Sequence, residues 1–173
     1  MAIKQFNLAQ HQRAERKLLI TVAEWKEPGA DTPVREILGR RTEDSAVEYN
    51  ADISTTTDIL GINYTDLNKT QPQQDFDPFL ILGGSRLGAF LNDIRRRNAL
   101  SELSQFTLYI ITAFIGNEED GYAAEKHENC TITYSSIGGD VNVNMPIQAY
   151  FSNQITSGTV DKLSDDFEFT ADV

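Results

Sequence analysis

The residues of this 173-residue chain that could do chemistry are two histidines, one cysteine and a few acidic, basic or glycine-rich stretches. His11 and His127 could ligate a metal, but they lie far apart in sequence. His127 stands among Glu125, Lys126 and Glu128, which reads as a solvated charged loop. Cys130 alternates with Ile132 and Tyr134, the pattern of a thiol packed as a small hydrophobe on a strand rather than a nucleophile. Gly83-Gly84-Ser85 precedes a helical stretch as a phosphate cradle would. It lacks the P-loop lysine and the spacing of a dinucleotide fingerprint, so a turn with a helix cap is the better reading. Glu118-Glu119-Asp120-Gly121 lacks the alternating ligands and terminal glutamate of a calcium loop. Asp75 and Asp77 could pair as carboxylates, yet beside Pro78 they suit a turn. Arg95-Arg96-Arg97 could meet nucleic acid, but in an acidic chain it reads as a solvated helix end or an intersubunit ion pair. The expectation is a non-enzyme with no catalytic residue, no metal and no cofactor.

The elements that would position these residues are mostly strands. Leu18 to Trp25 is strand-like and ends at Pro28-Gly29. Val47, Tyr49, Ala51 and Ile53 alternate with Glu48, Asn50, Asp52 and Ser54, giving one apolar and one polar face. Leu60, Ile62 and Tyr64 follow, as part of one long bent strand or of a second strand. Residues 65–78 read as a polar loop long enough to be a functional excursion. Ser85 with Leu87, Phe90, Leu91 and Ile94 predicts a helix over 85–98, its arginines suiting the C-terminal dipole. Phe106 to Ile115 is apolar on both faces, as in a central strand covered on two sides. Further strands are expected around Cys130–Tyr134 and Ile147–Ile155, separated by a turn at Gly138-Gly139-Asp140. Residues 1–16 read as an arm, 17–160 as the β domain and 161–173 as an acidic tail.

Lys and Arg number 15 against 26 Asp and Glu, a net charge of −11, which argues against a protein that grips phosphates. No apolar run reaches the roughly 20 residues of a membrane span, and the first residues show no signal-peptide core, so membrane insertion and export are not expected. A lone cysteine suits a reducing compartment.

Within residues 38–84, Thr42-Glu43-Asp44 precedes an alternating strand, and Thr57-Asp58-Ile59-Leu60-Gly61, Asn68-Lys69-Thr70 and Phe76-Asp77-Pro78 follow in order before the helix. This combination, with the Gly138-Gly139-Asp140 turn, resembles the tail tube (major tail) proteins of long-tailed bacteriophages over roughly residues 38–160. The resemblance implies a mainly β fold, a β-sandwich or barrel of the tail tube type with one flanking α-helix. It implies hexameric rings stacked into the conduit for DNA ejection, made in the host bacterial cytoplasm and found in the virion tail. Its partners would be further copies of itself, the tape-measure protein, the tail tip or initiator and the tail terminator, with DNA passing through unbound. Glu48, Asn50, Asp52 and Ser54 are then the candidate lumen face, and Asn68, Lys69, Thr70 and Gln71 the candidate inter-subunit loop. The alternatives are the tube protein of a contractile tail-like bacteriocin or type VI secretion system, and a small β-sandwich binding module.

Overall fold

A serine cap and an apolar stripe fix the α-helix. In the computed structural model, which describes residues 3–173, α1 runs Arg86–Arg97 and the Ser85 hydroxyl accepts the Gly88 amide at 3.1 Å. Glu36, distant in sequence, completes the cap: its carboxylate accepts the Ser85 hydroxyl at 2.9 Å and the Leu87 amide at 2.6 Å. Leu87, Phe90, Leu91 and Ile94 are buried on one stripe, and Asn98 ends the helix in the left-handed conformation. Of the three arginines, Arg97 is paired within the chain, to Asp93 at 2.7 Å and Glu102 at 2.9 Å.

The strands are β1 (Leu19–Trp25), β2 (Val34–Ile37), β3 (Val47–Glu48), β4 (Asp52–Thr57), β5 (Asn63–Lys69), β6 (Gln73–Phe76), β7 (Phe106–Asn117), β8 (Gly121–Tyr134), β9 (Ile147–Tyr150), β10 (Ile155–Val160) and β11 (Phe169–Ala171). They form a mainly β, sandwich-like fold. The order is β2-β1-β7-β8-β9-β6-β3, with β10 and β11 branching from β8, and β4-β5 pair only with each other. The long strand β8 serves two layers. Its first half pairs with β7 and β10, and its last residues pair with β9. Between these halves the register with β7 shifts and Asn129 adopts φ 55°, which turns the strand from one layer to the next.

Strand β7 is buried on both faces. Phe106, Leu108 and Ile110 face the larger core with α1, Trp25, Ile132 and Ile147, where Trp25 stacks on Phe90 with centroids 5.8 Å apart. Tyr109 and Ile111 face a second core with Val22, Ala124, Val160 and Phe167. Both layers are closed within one chain, so the two-sided apolar strand needs no neighbouring subunit to cover it.

Several expectations are corrected here. Residues 65–78 are not a loop: they hold most of β5 and all of β6. Strand β5 carries no apolar alternation because both of its faces are exposed, while β6 hides Gln74 in the core. Gln74 can be buried because Thr21 Oγ1 donates to its Oε1 at 2.7 Å and its Nε2 donates to Ser45 Oγ at 3.0 Å. The alternation at 47–53 is not one strand, since Asn50 at φ 46° breaks it into β3 and β4. His127 is buried in β8, not set in a surface loop. Its Nδ1 lies 3.4 Å from Ser152 O, its Nε2 lies 3.2 Å from Glu125 Oε2, and its ring meets Phe151 edge-on. Residues 161–173 are not a detached tail, for Phe167 fills the second core and β11 pairs with β10. Of the segment 1–16, Met1 and Ala2 lie outside the described residues. The rest is irregular up to a 3-10 turn at Arg16–Leu18, and it is tied to β7 through the Asn7 amide on Phe114 O at 3.0 Å.

Candidate functional site

The surface that stands out is the hairpin β4-β5. It prolongs the β3/β6 pair beyond the sheet edge, because Val47 and Glu48 lie opposite Gln74 and Gln73, and Asp52 then lies opposite Lys69. The junction is held by the Gln71 amide on Tyr49 O at 2.8 Å and by Asn50 Nδ2 on Gln71 O at 3.0 Å. Within the hairpin, Ile53 faces Leu67, Thr55 faces Thr65, and Thr56 faces Tyr64. Opposed residues share a face, so one face carries Ile53 and Leu67 beside threonines, and the other carries Tyr64 and Thr56 beside Ser54 and Asp66.

Neither face is covered. Ile53, Ile59, Leu60, Ile62, Tyr64 and Leu67 are all exposed, Leu60 by 77%. An isolated two-stranded hairpin is at best marginally stable in water, and here Asp58 organises the tip. Its Oδ1 accepts the Leu60 and Ile62 amides at 2.8 and 3.0 Å, and its Oδ2 accepts the Tyr64 hydroxyl at 3.2 Å. These donors, the Ile62 amide foremost, hold the Asp58 carboxyl below the usual carboxylate range. The tip is thus shaped in advance while its apolar side chains face solvent.

A second surface is the outer face of the β3-β6-β9-β8 layer. The register aligns Glu48, Gln73, Tyr150 and Thr131 in one cross-strand row, and Asp75, Gln148 and Thr133 in the next but one. The intervening row of Val47, Gln74, Ala149 and Ile132 points to the core side. The outward rows are polar throughout and carry acids without a lysine or arginine.

Of the candidate lumen residues, only Glu48 lies on this layer. Asn50 is at the kink, and Asp52 and Ser54 belong to the hairpin. Asn68 and Lys69 end β5, with Asn68 accepting the Ser54 hydroxyl at 3.3 Å, and Thr70 and Gln71 form the hairpin's base. Alternation with Ala149 and Phe151 marks Gln148 and Tyr150 as the polar side of a strand, but sequence reasoning did not join them to Glu48, and Gln73 beside Gln74 gives no such signal. Among the described residues no group of three or more His, Cys, Asp or Glu side chains could hold a metal ion, and no helix is long and apolar enough to cross a membrane.

No protein-family model matches the chain, and no curated protein matches it. Among solved structures it is similar to the tube-terminating cap of the anti-feeding prophage, at 13% identity over 92% of this chain and 99% of that one, with a TM-score of 0.48. It is also similar to a chain of the PVC sheath-tube complex of an extracellular contractile injection system in the extended state. That match has 12% identity over 87% and 94%, with a TM-score of 0.46. A third is a chain of the anti-feeding prophage baseplate, at 8% identity over 90% and 100%, with a TM-score of 0.47.

Proposed function

We propose that this chain is the structural subunit of a phage-tail-like tube, built from stacked rings of identical copies. The observation that carries the reading is the uncovered hairpin β4-β5, whose apolar side chains and preformed tip suit burial against another copy. The hairpin also lies in the stretch whose motifs resemble bacteriophage tail tube proteins. Rings, rather than open aggregates, are the form in which sheet edges such as β2 and β3 can pair between copies without remaining exposed.

In this reading the outer face bearing Glu48, Gln73, Asp75, Gln148 and Tyr150 lines the lumen. A polar wall with acids and no cations lets a polyanion slide, since it offers no lysine or arginine to displace the counter-ions of the phosphates. The hairpin bridges successive rings, with Asn68 to Gln71 at its root. The tape-measure, initiator and terminator partners follow from the tube role, and no step requires catalysis.

The test replaces residues 52–69 by a short glycine-rich turn between Ala51 and Thr70. Both cores lie outside this segment, so the variant should keep near-native circular dichroism. The unchanged chain is expected to form tubes of uniform diameter in electron micrographs at high concentration, and the shortened chain to form none. Tubes of normal length from the shortened chain would overturn the hairpin's role.

A further inference from the structure

A hairpin that bridges rings needs a receiving surface, and the strand register says at which end of the subunit to look. The hairpin leaves the β3/β6 pair at Glu48 and Gln73. At the other end of the same layer, Phe76 lies opposite Ile147 and Tyr134 lies opposite Ile147. The segments 77–85 and 135–146, which run on from Phe76 and Tyr134, therefore sit at the end opposite the hairpin. They carry the second group of uncovered apolar side chains of this layer: Ile81, Ile137, Val141 and Val143, Val141 being 89% exposed.

These two segments form one built platform. The Ile81 amide donates to Val143 O at 3.0 Å and the Met145 amide to Phe79 O at 2.9 Å. Asn144 ties them with its side chain, accepting the Phe79 amide at 2.8 Å and donating to Asp77 at 3.0 Å. The turn is tight at Gly139, whose φ is 138° and where a Cβ would collide with Asn142 O. An ordered apolar platform costs little entropy to dock, as does a preformed hairpin tip.

We infer that the platform of Ile81, Ile137, Val141 and Val143 is the seat for the hairpin tip of a second copy of this chain. The inference rests on the stacked-ring reading above and names the contact that would propagate it. Donor and acceptor are different surfaces at opposite ends of one layer, so the contact is heterologous, each copy giving its hairpin to one neighbour and receiving one from the other. The receiving end is also tied to the neighbouring Gly39–Thr42 turn, which bears exposed Arg40 and Arg41 and rests on Pro78 through the Thr42 hydroxyl on Pro78 O at 2.8 Å. Of the acids in the two segments, Asp77 is engaged by Asn144, while exposed Asp140 adjoins Val141 and favours a docking mode in which the hairpin's Asp58 and Asp66 lie toward the arginines.

The test uses two full-length variants, Leu60→Asp, which spoils the donor, and Val141→Asp, which spoils the acceptor. Both positions are exposed, and native circular dichroism is expected from each. Alone, neither should stack. An equimolar mixture should form complexes of bounded size, because the intact hairpin of the Val141→Asp chain can still enter the intact platform of the Leu60→Asp chain. In a Leu60→Cys/Val141→Cys chain, oxidation should give a ladder of covalent multimers, with buried Cys130 silent. If the unchanged chain builds tubes and Val141→Asp builds them equally well, or if the mixture fails to pair, the seat is elsewhere and the tube reading stands without it. If the unchanged chain never assembles, both fall.

Discussion

Replacing Phe167 by alanine tests whether the C-terminal segment belongs to the folded body. Phe167 is 1% exposed, its ring meets Tyr109 edge-on at 5.0 Å, and the Arg35 guanidinium lies over it at 4.3 Å. Arg35 also donates to Phe167 O and pairs with Glu24 at 2.5 Å, so the side chain is the plug of the second core beneath a half-buried ion pair. Truncating a buried phenylalanine costs about 3–5 kcal/mol, and loss of the cation–π contact adds about 0.5–1 kcal/mol. Two neighbours would suffer with it. Tyr109, whose hydroxyl is pushed up to about 12 by burial and by Glu24, would meet water, and Arg35 would lose its stacking surface. At about 2–4 °C per kcal/mol for a domain of this size, the melting temperature should fall by roughly 7–24 °C. Urea unfolding followed by tryptophan fluorescence and circular dichroism gives the free energy directly, and the midpoint should drop with little change in slope. A loss below about 1 kcal/mol would mean that residues 161–173 are a peripheral tail and that the second core closes without them.

Other perturbations separate the remaining parts of the account. Leu91→Asp, at a fully buried helix position, should leave the chain unfolded or at least about 3 kcal/mol less stable in denaturant titration, since it buries an unpaired charge. Gly139→Ala should destabilise the 136–145 turn by about 1–3 kcal/mol, seen as lost amide protection at Gly138 and Asn144. Asp58 has a folded-state pKa below its unfolded value, so its stabilisation of the tip is present above the ordinary carboxylate value of about 3.9. It is lost as the pH falls through the lowered folded value. Amide protection factors at Leu60 and Ile62, taken relative to intrinsic exchange at each pH, should therefore hold from pH 7 to pH 5 and fall in acid, and Asp58→Asn should lower them throughout. The assembled chain should not shift duplex DNA at physiological salt, whereas Glu48→Lys/Asp75→Lys tubes should bind it with a steep salt dependence.

What the sequence makes legible follows burial. Helix α1 is readable because Leu87, Phe90, Leu91 and Ile94 share a stripe behind a serine cap, and β7 because its residues are apolar on both faces. The hairpin is not readable as such. With both faces in solvent, β5 has no reason to alternate, so Asn63–Lys69 looks like loop. Gln74 and His127 mislead for the converse reason, being polar groups whose partners lie elsewhere in the chain and permit burial. Phe167 is hidden because the acids between it and Leu163, which also packs on the second core with Phe169, mask the apolar pattern. At the candidate site, the polar face could be seen at Glu48. Its continuation through Gln73, Tyr150 and Thr131 depends on which strands pair, and that pairing is set by contacts distant in sequence.

The central claim is self-assembly into a tube, and the most direct measurement is sedimentation velocity of the purified chain over a wide range of concentration and salt, with electron microscopy of the same samples. The account predicts concentration-dependent rings and tubes of uniform diameter, with the hairpin at the junction between layers. A chain that remains monomeric at every concentration and salt tested would contradict it.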